Sequence, residues 1–181
     1  MKINSEILLS QLIQQTEENI LFVKSLKQLS DKELNKRITD KSWSILECIQ
    51  HLNLYSDFYN QEIKEKMNQN KIQNSVNFKS GILGNYFAQS MIPKENLNKM
   101  KTPKFMNPIF TDLDKNILET FINNQKTLLE LLEIAKTKNL TKIKTNISLT
   151  KLIKIRLGDT FRFVVNHNLR HIKQIERIQS A

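Results

Sequence analysis

Apolar residues return every three or four positions through four long stretches of this chain, and almost nothing interrupts them. From Glu6 to about Leu29, the residues Leu9, Leu12, Ile13, Thr16, Ile20, Val23 and Leu26 form one stripe, which predicts a first helix. A second is expected to open at Ser44 and run to about Asn68, with Cys48, Leu52, Tyr55, Tyr59 and Ile63 on its buried side. Ser44 and Glu47 fit a capping box at its start: the hydroxyl takes an orphan amide and the carboxylate reaches back to the cap residue. A third follows Thr111, with Leu113, Ile117, Leu118, Phe121, Leu128, Leu129, Leu131 and Leu132 facing inward, and a fourth runs from near Leu157 to Ile178. Only 3 Gly and 3 Pro occur in 181 residues, too few for the many turns of an all-β fold. Four amphipathic helices bury their stripes best against one another, so the expected class is all-α, a four-helix bundle forming a single domain over 1–181.

The connections differ in kind. Ser30 to Lys41 is short and polar. Asn70 to Ile109, between helices two and three, is long; Gly81 and Gly84 flank an apolar piece from Ile82 to Met91, and Pro93, Pro103 and Pro108 follow. So long a connection in a compact domain is usually functional or disordered, and Phe78 to Pro108 is expected to cover a site at one end of the bundle. After Lys138, Leu140, Ile143 and Ile147 suggest an extended stretch or an irregular loop.

No apolar run is long enough to cross a bilayer and the N-terminus lacks a signal-peptide plan, so no membrane partner and a cytoplasmic location are expected. The single Cys suits a reducing compartment. A net charge of +10 raises nucleic acid as a partner. Against it, Lys is scattered through every segment, and the densest patch, from Lys136 to Arg156, lies in a connection with no aromatic interleaving.

Three His occur in all. His167 and His171 are four apart on the fourth helix, which places both imidazoles on one face about a turn apart. His51 sits near the start of the second helix, beside Tyr55 and Phe58. All three fall at the border of an apolar arc, whereas Arg162, Asn166, Arg170, Lys173 and Arg177 occupy the opposite face of the fourth helix. An imidazole facing a core needs a hydrogen bond or a metal, and spacing alone leaves both readings open.

The stretch Ser42-Trp43-Ser44 through Glu47 to His51-Leu52, then Leu157-Gly158-Asp159, Arg162-Phe163, His167, Arg170-His171 and Gln174, resembles the DinB-like superfamily, as does Lys101-Thr102-Pro103-Lys104 before the third helix. The resemblance implies that His51, His167 and His171 ligate one divalent metal ion. It also implies a four-helix bundle with a crossover, frequent homodimers, and a metal-dependent hydrolase or a thiol transferase using bacillithiol or mycothiol. Three neutral nitrogen ligands leave a position for water or substrate, so the site is of the catalytic type, with zinc and nickel leading. A low-molecular-weight thiol is the expected cosubstrate and a small molecule the substrate; a metal- or small-ligand-binding bundle without catalysis is the rival.

No catalytic residue is identified. Glu47 and Gln174 are the candidates, Glu47 fitting a cap better than a base, Gln174 fitting a hydrogen bond to a ligand as well as a solvated face. Cys48 lies in the apolar stripe and reads as a buried inert thiol. Trp43 fits either a pocket wall or a hydrophobic staple. Arg170 is expected at the surface or in a dimer contact.

Overall fold

The computed structural model describes residues 1–94 and 101–181. In chain order the elements are β1 (Lys2–Asn4), α1 (Ser5–Leu26), α2 (Asp31–Leu34), α3 (Ile45–Gln69), β2 (Asn77–Lys79), α4 (Ile82–Ser90), a 3₁₀ turn (Lys104–Met106), α5 (Asn116–Ala135), β3 (Lys144–Ile147), β4 (Thr150–Arg156) and α6 (Leu157–Ser180). The four long helices match the four periodic stretches. α5 packs against α3 and α1, α6 packs against the same two, and α4 lies on α6.

The expectation of an all-α chain is corrected in detail. The protein is mostly helical, but two antiparallel strand pairs join its connections: β1 with β2 (Ile3 opposite Phe78) and β3 with β4 (Thr145 opposite Ile155). Two strands are too few to support themselves, and each pair borrows a core from the helices. Phe78 and Ile155 are buried, whereas Lys2, Lys79 and Lys154 stay exposed. The polar stretch after α1 also contains α2, started by a Ser30–Glu33 capping box and anchored by the buried Leu34. A four-residue helix has too little periodicity to read from sequence.

Helix starts follow local chemistry. Ser44 and Glu47 form the expected box at α3. α5 begins at Asn116, later than its apolar pattern suggests, because Asp114 Oδ1 takes the Asn116 N–H (2.7 Å) and holds the preceding residues in a turn.

The core is in two apolar parts with a polar layer between them. On α1 that layer is Thr16 and Asn19, between Leu12 and Ile20. On α3 it is Asn53 and Ser56, on α5 it is Gln125, and on α6 it is the stretch from His167 to His171. Asn168 Nδ2 donates to Gln125 Oε1 across it (2.8 Å). The histidines therefore sit in or beside a level of the helices where several buried side chains are polar.

The outward face assigned to α6 is also corrected. Arg162 is 6% exposed and Arg170 8%. The helical wheel counts only the four long helices, but residues 80–94 run along this face. Arg162 Nη1 donates to Asn85 Oδ1 (3.1 Å), Asn166 Nδ2 to the Ala88 carbonyl (2.9 Å), and Arg177 Nη2 to the Lys94 carbonyl (3.3 Å). At the start of α6, Asp159 pairs with Arg162 (2.9 Å) and accepts from the Gly81 amide (2.8 Å) and the Ser80 hydroxyl. This approach explains Gly84, where a Cβ would stand 2.5 Å from Asp159 Oδ2.

Candidate metal centre

His51 reaches the site from the second turn of α3, and His167 and His171 from successive turns of α6. The fold brings all three together, although His51 and His167 are 116 positions apart in sequence. His51 Nε2 stands 3.2 Å from His167 Nε2, and His171 Nε2 stands 3.1 Å from the same atom. One nitrogen from each ring lies within 4.8 Å of the others, and all three residues are buried.

The opposite ring nitrogens settle the proton positions. His51 Nδ1 is 2.6 Å from the Met106 carbonyl oxygen, and His171 Nδ1 is 2.9 Å from Gln174 Oε1. Both oxygens only accept, so both Nδ1 atoms carry protons and both Nε2 lone pairs point inward. His167 Nε2 supplies at most one proton to them. Protonation of the rings is no remedy: burial pushes His51 down to about 4, and burial with repulsion from neighbouring imidazoles holds His167 and His171 well below the usual histidine range. Converging lone pairs with too few protons are what a divalent cation satisfies. Nitrogen ligands about 2.0–2.1 Å from a shared ion at tetrahedral angles stand about 3.3 Å apart, close to the spacing of the His51–His167 and His167–His171 pairs.

Aromatic rings wall the trio. Trp43 lies 4.7 Å from His51 and 5.6 Å from His171 between ring centroids, Tyr55 lies 4.8 Å from His51 and 4.6 Å from His167, and Phe163 stacks on His167 at 5.7 Å. Trp43 is therefore a wall of the site, held by its Nε1–H to Asn107 Oδ1 (3.0 Å). Tyr55 belongs to the apolar stripe of the second helix, whereas Phe163 stood out in the sequence only as part of the family resemblance. Met106 was not foreseeable, because it contributes a backbone carbonyl and its side chain carries no signal.

The remaining candidates are placed as follows. Glu47 is committed elsewhere: it takes both guanidinium nitrogens of Arg37 (2.5 Å each), the Ser44 amide (2.8 Å) and the Phe110 amide (2.5 Å). It acts as cap and clamp. Gln174 bonds a histidine of the trio rather than facing solvent. Cys48 is fully buried and its thiol is pushed up by burial, as an inert core thiol should be. Of the connection expected to cover the site, Met106 and Asn107 touch it and residues 80–94 lie along α6; residues 95–100 lie outside the described residues.

The profile of the DinB superfamily matches residues 13–175, which takes in all three histidines. No curated protein and no solved structure gives a significant match.

Proposed function

This chain belongs to the DinB superfamily, and on that premise we propose that it binds one divalent metal ion through Nε2 of His51, His167 and His171 and uses it as a metal-dependent thiol S-transferase or hydrolase on a small molecule. The carrying observation is the convergence of those nitrogens, two of them with their far side tied to Met106 and Gln174. Such outer partners fix ring orientation and raise ligand basicity. An all-imidazole set suits zinc, nickel, iron or copper, and zinc or nickel is the ion of this proposal.

When bound, the ion would lower the pKa of a water or low-molecular-weight thiol beside it, supplying a nucleophile at neutral pH. The chain's own groups do the rest. Trp43 and Tyr55 are half-buried, so they are the rings a guest passes and packs against. Phe163 and the buried face of Tyr55 exclude water, which strengthens electrostatic interactions at the site. Since the Glu47 oxygens are occupied, no carboxylate among the placed candidates serves as a general base, which favours a nucleophile that arrives as a thiolate. The same lack keeps a second reading open, a metal- or small-ligand-binding protein without turnover. We carry with this proposal the four-helix bundle as one domain over 1–181, a homodimer and a cytoplasmic location. Among the described residues no helix is long and apolar enough to cross a membrane.

The test is metal content of protein purified without chelators, beside His51→Ala, His167→Ala and His171→Ala. Near-stoichiometric metal in the wild type and loss in each variant is expected; equal loading in all four proteins sinks the proposal. Thiol-dependent turnover that vanishes in the same variants separates the enzyme from the binding protein.

A further inference from the structure

Ten Lys and Arg and no Asp or Glu fall in residues 1–5, 66–81 and 137–158, while the rest of the chain balances 18 basic against 18 acidic side chains. The whole formal charge of +10 therefore belongs to three segments far apart in sequence. In sequence this looks like a diffuse excess. The fold gathers it at one end: β1 pairs with β2, the Asn139 amide donates to the Ile72 carbonyl (3.3 Å), the Lys79 amide donates to Thr141 Oγ1 (3.0 Å), and Arg156 Nη1 donates to the Lys79 carbonyl (2.5 Å).

A cavity of about 650 Å³ opens where these segments meet. Lys2, Lys79 and Lys142 line it with Ser75, Asn77 and Thr141. Lys2 and Lys79 are directly opposed across the β1–β2 pair, an arrangement of like charges that costs stability. No ion pair among the described residues includes any of the three lysines. Lys142 is held at the rim by Asn139, whose Oδ1 accepts from the Thr141 and Lys142 amides (3.2 and 2.9 Å) while its Nδ2 donates to the Gln73 carbonyl (3.1 Å).

We propose that this cavity is a second binding site, for a small anion bearing phosphate groups. The lysines supply point charges, the Ser75 and Thr141 hydroxyls and the Asn77 amide supply neutral polar contacts, and the local excess of cations focuses anions toward them. Its volume is that of a small-molecule site. None of the exposed aromatic residues lies in the three segments, so there is no platform for stacking single-stranded bases. The site is separate from the histidines: His51 and Lys66 on α3 are fifteen residues apart, about 22 Å along the helix.

The experiment uses the full chain with inorganic tripolyphosphate, followed by calorimetry and by thermal unfolding at low and high salt. Binding that weakens with salt is expected. Lys79→Glu/Lys142→Glu should weaken it by about tenfold or more, the scale of losing two charge-assisted contacts. Reversal of Lys24 and Lys126, which lie in the balanced part of the chain, should change it little. Because reversal of two charges also perturbs β2, Lys142→Ala is measured alone and is expected to weaken binding with an unchanged helical circular dichroism spectrum. Co-sedimentation with phosphatidylcholine vesicles that do or do not contain phosphatidic acid distinguishes a lipid headgroup from a soluble phosphate as the source. No binding of tripolyphosphate or of phosphatidic acid vesicles overturns the proposal. So does equal weakening by the Lys24 and Lys126 control, or tighter binding to duplex DNA that ignores Lys79 and Lys142. Metal content is read in every variant and should not change, so failure here is distinct from failure of the histidine site.

Discussion

Replacing Gln174 by Leu tests whether the ring behind the site matters as much as the nitrogens in front. The substitution keeps the bulk of the side chain and removes the acceptor 2.9 Å from His171 Nδ1. A buried N–H left without a partner costs about 1–3 kcal/mol, and the loss of an outer partner of a metal ligand typically lowers metal affinity by about 10–100-fold. The two scales agree, since 1.4 kcal/mol is about tenfold. Gln174 itself is half-buried, so water can partly replace its oxygen, and the lower end, about tenfold weaker, is expected here. The assay is competition for zinc against a chromogenic chelator. Gln174→Glu keeps the acceptor and adds a charge that strengthens the hydrogen bond, so it should bind at least as tightly as the wild type. A Leu variant indistinguishable from wild type, together with a weaker Glu variant, would refute the view that His171 is oriented and polarised from behind.

Stability of the chelator-stripped protein should fall on acidification. His51 is held near 4 when folded against an ordinary 6.5, so between these values only the unfolded chain takes up the proton. The stabilisation is fully present above about pH 6.5 and lost progressively toward about pH 4, roughly 3 kcal/mol from His51 alone, with His167 and His171 acting in the same direction. Urea midpoints that stay flat over this window would contradict it. At Gly84 the helix-propensity gain of an alanine, about 0.5–1 kcal/mol, opposes a Cβ placed 2.5 Å from Asp159 Oδ2. Because Gly84 packs on the buried Asp159–Arg162 pair, Gly84→Ala is expected to destabilise by on the order of 2 kcal/mol net, visible in thermal unfolding. Glu47→Gln should cost on the order of 3 kcal/mol by leaving Arg37 without its buried carboxylate, with metal content unchanged. Lost turnover at full stability would instead return Glu47 to the chemistry.

Much of the architecture was legible because long helices write their burial into every third or fourth residue. The Ser44–Glu47 cap and the inner placement of the histidines followed from spacing of a few residues, which a helix converts directly into geometry. The long connections were not legible. Residues 80–94 hold α6 through Arg162, Asn166 and Arg177, three polar residues that any wheel sends to solvent, and nothing local records the segment that covers them. Trp43 was ambiguous for the same reason, since packing on His171 joins two elements distant in the chain.

The amino-acid order by itself determined four amphipathic helices, the chelating interval between His167 and His171, and an excess of cations. Tertiary structure alone decided how His51 meets that pair, with tautomers set by the Met106 carbonyl and Gln174, that Glu47 is spent on Arg37, and that the cations of three segments share one end. Periodicity reports which side of an element is dry, whereas a lone pair's direction and a charge's neighbours depend on atoms contributed by elements far away along the chain.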